Sequence, residues 1–97
     1  MKITVTEKAI QKLKGEILKK ENNGFRINIR GIGWGGPVFD IVQDEQYEND
    51  YIEIIEGIKV LVSQENIEKF GGFEIDYSSF ILTRGFYIRA LRYGSRC

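Results

Sequence analysis

The sequence predicts an α+β fold in a single domain over residues 1–97: about seven mixed or antiparallel strands, one N-terminal amphipathic helix and one short helix. Apolar residues recur at helical spacing near the N-terminus and again after Ser63. Elsewhere they fall into short runs, several with the period of two that is typical of strands with one buried face. Strands and helices do not alternate along the chain, so nothing indicates a parallel doubly wound sheet.

The N-terminal segment predicts a short strand and then a capped helix. Lys2 to Val5 is strand-like, and Thr6 stands as an N-cap before Glu7, whose carboxylate favours the positive end of a helix dipole. Apolar residues then repeat at helical spacing, and a basic stretch ending in asparagines and glycine supplies the stop signal. The apolar positions are Ala9, Ile10, Leu13 and Ile17, and the stop signal is Lys19, Lys20, Asn22, Asn23 and Gly24. We therefore expect one amphipathic helix over residues 7–20.

The central part of the chain predicts strands joined by turns. In FRINIR, which begins at Phe25, every second residue is apolar, as in a strand with one buried face. This strand leads into a glycine-rich loop, GIGWGGP, and VFDIV forms the next strand. The polar run QDEQYEND then connects to YIEII and IKVLVS, which are separated by Glu56-Gly57. Glycine tolerates the positive φ of tight turns, so these two runs predict a hairpin.

The C-terminal part predicts a short helix followed by two strands. Ser63 can cap a helix that passes through Ile67 and Phe70 and ends at Gly71 and Gly72. The runs FEIDY and GFYIRAL then predict strands. In the second of these, alternate residues are expected to face the core, namely Phe86, Ile88 and Ala90.

Composition excludes several classes of function. Hydrophobic residues make up 42% of the chain and charged residues 29%, and no apolar run approaches the roughly 20 residues that cross a bilayer. The N-terminus lacks the apolar stretch of a secretory signal, so we expect a cytoplasmic protein. With one cysteine, Cys97, and no histidine, an internal disulfide and a self-contained zinc site are not expected. The formal net charge of zero gives no global attraction to nucleic acid or anionic lipid.

The glycine-rich loop matches a nucleotide-binding motif, but the element that follows it does not fit that motif. Gly31, Gly33 and Gly36 match G-x-G-x-x-G after a strand. That motif needs a helix N-terminus to hold a pyrophosphate, whereas Pro37 and VFDIV continue as a strand. The simpler interpretation is a glycine turn between two strands, with Trp34 packed as a surface anchor.

Two further groups of residues are candidate sites. An acidic cluster could hold a hard cation, but it lacks the spacing of an EF-hand, so we expect a solvated loop. It consists of Asp44, Glu45, Glu48 and Asp50. Basic and aromatic residues interleave near the C-terminus, a pattern that can bind single-stranded nucleic acid but more often forms a solvated strand face. They are Arg84, Arg89, Arg92 and Arg96 with Phe86, Tyr87 and Tyr93.

No catalytic residues are predicted. Without histidine, and with a single cysteine at position 97, neither a Ser/His nor a Cys/His nucleophile pair can be assembled. No pair of carboxylates stands out as an acid/base couple either. We therefore do not expect an enzyme.

Taken together, the segments resemble the HesB/IscA-like family, the A-type iron–sulfur carriers, over nearly the whole chain. KITVTEKAIQKLK is similar to the family's opening strand and capped helix, and GFRINIRGIGWGG is similar to its strand and glycine loop. IKVLVS, FEIDY and the Gly85-Phe86 pair follow in the expected order. The resemblance implies a compact α+β fold of mixed strands, often dimeric, whose partners are iron–sulfur assembly or acceptor proteins.

The family's function rests on three cysteines, one in a G-C-S-G-like loop and two in a C-terminal C-G-C. Thiolates are soft ligands suited to iron and iron–sulfur clusters. Here Gly33-Trp34-Gly35-Gly36 occupies the loop motif, so Trp34 stands where the first thiolate is expected. Cys97 falls at the first cysteine of the C-G-C, and the sequence ends before the second. The resemblance thus implies iron or an iron–sulfur cluster, which this sequence is not expected to bind as written.

The loop therefore resembles a ligand-presenting loop whose ligand has been replaced. Because a Trp codon differs by a single base from cysteine codons and from UGA, and some relatives carry selenocysteine in the loop, Trp34 could substitute for a thiol or selenol. Alternatively, the chain is a paralogue that lost metal binding and kept the fold for partner contacts. Three hypotheses follow: a non-enzymatic iron–sulfur assembly or carrier-like protein, a metal-free interaction module that uses Trp34, and a weaker one, a single-stranded nucleic-acid binder.

Overall fold

The computed structural model describes residues 2–16, 18–80, 82 and 84–92. In that part of the chain, seven strands and two helices are present, which confirms the predicted α+β class. In chain order they are β1 (Ile3–Val5), α1 (Glu7–Lys14), β2 (Gly24–Gly33), β3 (Gly36–Asp44), β4 (Asp50–Ile55), β5 (Ile58–Ser63), α2 (Gln64–Phe70), β6 (Phe73–Ser78) and β7 (Gly85–Ala90).

The strands form two mixed sheets. The larger has the order β3-β2-β5-β4, in which β2 pairs antiparallel with β3 and, over a short stretch, parallel with β5. The smaller has the order β1-β6-β7, with β1 parallel and β7 antiparallel to β6. β3 and β7 are edge strands of their sheets and lie side by side, so the two sheets meet along these strands.

Both helices and both sheets contribute to one hydrophobic core. Phe39 of β3 packs its ring edge-on against Phe70 and Phe73, with ring centroids 5.2 Å apart in each pair. These contacts fix β3 against α2 and β6. The buried core residues are Ile3, Ala9, Leu13, Phe25, Ile27, Ile58, Val60, Val62, Ile67, Phe70, Phe73 and Ile75, and Phe86, Ile88 and Ala90 pack against them as predicted.

The predicted caps and turns are also present. The side chains of Thr6 and Ser63 each accept a hydrogen bond from the backbone N–H three residues later, as N-caps do. Gly71 ends α2 with a φ of 74°, a left-handed conformation that glycine adopts without strain. Glu56 and Gly57 have φ values of 49° and 85° and form the turn between β4 and β5.

The prediction of a helix over residues 7–20 is wrong at its C-terminal end, because α1 stops at Lys14. Glycine is a poor helix former, and the N–H of Gly15 bonds to both the Gln11 and Lys12 carbonyls, which tightens the last turn. Farther along, the backbone N–H of Lys19 donates to Oε1 of Gln43 on β3 at 2.9 Å. The segment after α1 is thus tied to the sheet, and Ile17 lies outside the described residues.

Candidate functional site

The glycine-rich loop is the tip of the β2–β3 hairpin. Gly33 pairs with Gly36 across the hairpin, and Trp34 and Gly35 form its two-residue turn. Gly36 has a φ of 113°, a conformation that side chains other than glycine's rarely adopt. The loop is thus a glycine turn between two strands, as the simpler interpretation expected, and the strand that begins at Gly36 rules out a dinucleotide-binding helix there.

Trp34 makes no packing contribution to the fold. Its relative exposure is 107%, and Ile32, two residues earlier on β2, is 77% exposed. The expectation that Trp34 packs as a surface anchor is therefore wrong. A two-residue turn lies beyond the last cross-strand pair, so the fold offers no neighbouring strand against which its side chain could pack. The hairpin presents the indole to solvent at the position where the sequence resemblance expects a ligand.

A cleft lies beside this tip, between the edge strands β3 and β7. Its volume is about 180 Å³. The walls are mainly apolar and are formed by Gly35, Pro37, Phe39, Ile88, Arg89 and Ala90. Because Gly35 and Ala90 line the same cleft, the hairpin tip lies near the C-terminal end of β7.

The chain leaves β7 along a defined path that starts next to this cleft. The backbone N–H of Leu91 donates to the Gly72 carbonyl at 2.9 Å, and that of Arg92 donates to the Phe70 carbonyl at 2.8 Å. Arg92 also donates from its guanidinium to the Glu68 carbonyl at 2.6 Å, near the C-terminal end of α2. The structure thus places the origin of the C-terminal segment near the hairpin, whereas Cys97, the predicted metal ligand, lies outside the described residues.

The opposite end of the hairpin is held by a buried ion cluster. The Arg26 guanidinium on β2 donates to Asp44 at 2.7 Å, to both carboxylate oxygens of Asp50 at 2.6 and 2.7 Å, and to the Glu45 carbonyl at 3.1 Å. Its Cζ lies 5.1 Å from the centre of the Tyr47 ring. The Asp50 side chain is only 3% exposed. The cluster ties the connection between β3 and β4 to the base of the hairpin.

The Arg26 cluster corrects two predictions. The acidic cluster is not a solvated loop throughout, because Asp44 and Asp50 bind Arg26, whose hydrogen bonds lower the pKa of both carboxyl groups. The alternation in FRINIR also fails, since Arg26 is 7% exposed and Ile29 is 39% exposed. Period-two patterns assume that polar residues face solvent, and they cannot detect a buried arginine whose partners lie elsewhere in the chain. The only sequence signal was the set of acids at the end of β3.

The C-terminal arginines do not form a shared groove in the part of the chain that the structure describes. Arg84 is exposed, Arg89 pairs with Glu74, and Arg92 is engaged with the Glu68 carbonyl. Tyr87 is 50% exposed, while Phe86 packs on Tyr77 with ring centroids 5.0 Å apart. Tyr93 and Arg96 lie outside the described residues. An exposed strand face therefore describes this region better than a backbone-tracking channel.

The donor atoms near the tip do not fit an iron–sulfur cluster. Indole offers one N–H donor and no soft ligand. Within residues 2–16, 18–80, 82 and 84–92, no three His, Cys, Asp or Glu side chains converge as a metal site would require. Over the same described ranges, neither helix is long and apolar enough to cross a membrane.

Comparison with known proteins identifies the relatives of this chain. It is 33% identical over 90 residues to the protein SufA of Bacillus subtilis (strain 168), and the alignment covers 89% of this chain and 74% of that protein. The chain belongs to the HesB/IscA-like family. No family model matches the chain.

Solved structures of SufA, of IscA and of a third protein share its fold. SufA of Escherichia coli, which is involved in the biosynthesis of iron–sulfur clusters, matches with a TM-score of 0.75 at 20% identity, over 98% of this chain and 85% of that chain. IscA with a [2Fe–2S] cluster matches with a TM-score of 0.69 at 20% identity, over 91% of this chain and 81% of that chain. A protein from Aquifex aeolicus, whose structure was solved by solution NMR, matches with a TM-score of 0.66 at 28% identity. The match covers 91% of this chain and 90% of that chain.

Proposed function

We propose that this HesB/IscA-like chain acts in iron–sulfur cluster assembly as a non-enzymatic, carrier-type protein, with Trp34 in place of the loop thiolate. Family membership and the fold shared with IscA and SufA support the general role. The observation that carries the proposal is the position of Trp34: fully exposed, on a two-residue turn, next to the strand end from which the C-terminal segment departs. Its partners would be iron–sulfur assembly or acceptor proteins.

Chain geometry is compatible with a loop and a tail that meet. Arg92 is anchored to the Phe70 carbonyl, and the Phe70 ring contacts Phe39 of β3. Gly35 of the hairpin tip and Ala90 at the end of β7 also line one cleft. The described chain therefore runs close to the hairpin tip just before the segment that carries Cys97.

The chemistry of the tip sets what this sequence can do. A cluster of the [2Fe–2S] type normally takes four ligands, and thiolates are its usual protein donors. With indole at the tip, a monomer of this chain offers one thiolate, Cys97. We therefore expect the chain as written to keep the fold and partners of a carrier without retaining a cluster on the monomer.

The role in assembly is tested in cells. In a strain that lacks the gene, we expect the cluster occupancy of iron–sulfur enzymes to fall and to recover when the chain is re-expressed. Occupancy should be measured on purified recipient enzymes by iron and sulfide analysis. Unchanged occupancy in the absence of the chain would contradict a role in cluster assembly, whatever the chain itself binds.

The replacement of the ligand is tested separately, in vitro. After anaerobic incubation with ferrous iron and sulfide and then desalting, we expect the monomer to be colourless. Cys97→Ser is the matched control, because any residual colour that depends on Cys97 should disappear in it. A stoichiometric cluster absorbance on the desalted monomer would show that Trp34 has not cost the chain its cluster.

A metal-free interaction module is the second candidate, and the exposure of the tip favours it. Trp34, which is 107% exposed, and Ile32, which is 77% exposed, present apolar surface at the hairpin tip. Tryptophan is enriched among residues that dominate binding energy at protein interfaces. Under this alternative, Trp34→Cys should abolish partner binding without introducing any metal binding. Under the primary proposal, the new thiol restores a metal ligand.

A further inference from the structure

β4 is an edge strand that lacks the usual protection of an edge. Among the other edge strands, β1 has only three residues, and β3 and β7 lie next to each other. β4 has six residues in unbroken register with β5, and its sequence DYIEII contains neither proline nor lysine. Within the part of the chain that the structure describes, no strand pairs with its other side. Proteins commonly protect such an edge with lysine, proline, a bulge or a covering element.

The register of β4 shows which of its backbone groups face the open edge. The backbone N–H of Gln64 donates to the Asn49 carbonyl at 3.0 Å, one step beyond the first residue pair of β4 and β5. Bonded and non-bonded pairs alternate in an antiparallel ladder, so every second residue from Tyr51 onward bonds to β5. The N–H and C=O groups of Ile52 and Ile54 therefore point away from β5, toward the open edge.

The side chains of these two residues also remain available. Ile54 is 65% exposed, and Ile52 is partly buried. They lie on the face of the sheet opposite to Tyr51 and Ile55, which pack against the core. An extended peptide that adds to a sheet edge uses two kinds of contact, main-chain hydrogen bonds and packing of alternate side chains. The edge of β4 offers both.

The region around β4 is acidic, although the whole chain has a formal net charge of zero. Residues 31–58 contain seven acidic residues and no lysine or arginine. Arg26 pairs with Asp44 and Asp50, and Nζ of Lys14 lies 3.9 Å from Glu56. The other four acids make no ion pair with any residue that the structure describes, and they are Asp40, Glu45, Glu48 and Glu53.

Two lysines near β4 do not cancel this charge. Nζ of Lys59 donates to the Asn22 carbonyl at 3.2 Å and to Oε1 of Gln46 at 3.3 Å. Nζ of Lys2 lies 5.8 Å from the centre of the Tyr51 ring. The four unpaired acids outnumber these two lysines. An incoming strand with basic side chains is therefore favoured, whereas an acidic strand would meet like charges.

We propose that the open edge of β4 binds an extended, basic segment of a partner protein, which adds to the larger sheet as a fifth strand. The backbone of the segment bonds to the N–H and C=O groups of Ile52 and Ile54. Its lysine or arginine side chains lie among the unpaired acids. This inference depends neither on the role in cluster assembly nor on Trp34.

Binding of an isolated segment should be weak. One added strand of about six residues buries less than the roughly 1,200 Å² of a stable complex, so we expect a dissociation constant on the order of 100 µM. Because the charges are near the surface, the affinity should fall when the salt concentration rises from about 0.05 M to about 0.5 M.

Amide hydrogen exchange read by NMR tests where a basic strand binds. The probe is an acetylated and amidated hexapeptide of alternating lysine and valine, and the control is its glutamate–valine counterpart. With the lysine–valine peptide, we expect slower exchange at the amides of Ile52 and Ile54. The Glu53 amide, which already bonds to β5, should change little. Protection at another edge instead, or equal binding of the glutamate–valine peptide, would overturn the proposal.

Substitutions at position 54 test the backbone contact. Ile54→Pro removes an N–H that points to the open edge and leaves the ladder with β5 intact, so it should weaken peptide binding by roughly tenfold or more. Ile54→Val is the matched control, because it keeps the N–H and the branched side chain, and its affinity should stay within about twofold.

If circular dichroism shows that Ile54→Pro is unfolded, Ile54→Lys decides instead. It keeps the N–H but places a positive charge beside the basic peptide, and it should also weaken binding. Undiminished binding in a folded Ile54→Pro or in Ile54→Lys, an equal loss in Ile54→Val, or no binding at millimolar peptide would each overturn the proposal.

Discussion

The two ends of the β2–β3 hairpin are built on opposite principles. At the base, Arg26 is buried and bonded to Asp44 and Asp50. At the tip, Ile32 and Trp34 face solvent without contributing to the core. A register shift separates the two halves, since the regular pairing of β2 with β3 is interrupted between Ile29 and Gly31. One continuous hairpin thus contains a half that the fold requires and a half that it does not.

This difference indicates how the fold can keep its structure while its chemistry changes. At the base, side-chain identity is fixed by partners that come from other parts of the chain, so a change leaves buried charges unpaired. At the tip, the backbone is set by the glycines around Trp34, and the residue at position 34 touches nothing that must be conserved for folding. We therefore expect a thiol, a selenol or an indole at position 34 to have similar effects on the stability of the fold.

The largest loss of stability is expected from a substitution at the base of the hairpin. Arg26→Met removes the counter-ion of Asp50, whose side chain is 3% exposed, and should lower the free energy of unfolding by about 3–5 kcal/mol, as loss of one partner of a buried ion pair does. Arg30→Met is the matched control on the same strand, because Arg30 is exposed, and should change it by no more than about 0.5 kcal/mol. Equal losses in urea melts of the two variants would remove the distinction between base and tip.

Two glycines give the next largest contrast. Gly72 has a φ of 138°, and a Cβ there would overlap the Lys2 carbonyl oxygen that accepts from Phe73, so Gly72→Ala should cost about 2–4 kcal/mol. Gly35 has open space around its Cα and no positive φ. Gly35→Ala should change the free energy of unfolding by less than about 1 kcal/mol. Denaturant melts of the two variants compare them, and a large loss in Gly35→Ala would show that the tip is constrained by the fold.

Low pH should selectively destabilise the base of the hairpin, where the Arg26 cluster lies. Arg26 lowers the pKa of Asp44 and Asp50 in the folded protein below the ordinary value of about 3.9. Their contribution to stability is therefore full above about pH 3.9 and is lost as the pH falls through the lowered folded-state values. We expect this acid-dependent loss to be smaller in Arg26→Met, with a remainder from Asp76, whose pKa the Thr6 hydroxyl lowers. If the stability of Arg26→Met and that of the unsubstituted protein depended on pH in the same way, the Arg26 cluster would not contribute to acid stability as proposed.

Sequence patterns predicted what depends on local signals. The caps at Thr6 and Ser63, the turn at Glu56-Gly57 and the order of strands all follow from residues close together in the chain. The end of α1 does have a local signal in Gly15, but the helical spacing that continues to Ile17 obscures it. The burial of Arg26 could not be predicted, because it depends on Asp44 and Asp50, which lie far along the chain. At the tip, the glycine turn was predictable, but the full exposure of Trp34 and the adjoining cleft required the structure.

The smallest effect on stability is expected at position 34. Trp34→Ser should change the free energy of unfolding by no more than about 0.5 kcal/mol, because no packing contact is lost. Circular dichroism must follow unfolding, since the variant has no tryptophan. Loss of about 3 kcal/mol or more, the range for truncating a buried aromatic residue, would mean that Trp34 packs in the core in solution.

Iron binding by a restored form is the most direct test that Trp34 occupies the place of a thiolate. The variant carries Trp34→Cys together with Gly-Cys added after Cys97, so that thiols at the hairpin tip and in the tail recreate the family's three cysteines. Because soft ligands then converge from loop and tail, we predict that the folded variant binds iron or a cluster under anaerobic titration, while the chain as written does not. A folded variant that binds neither would contradict the account.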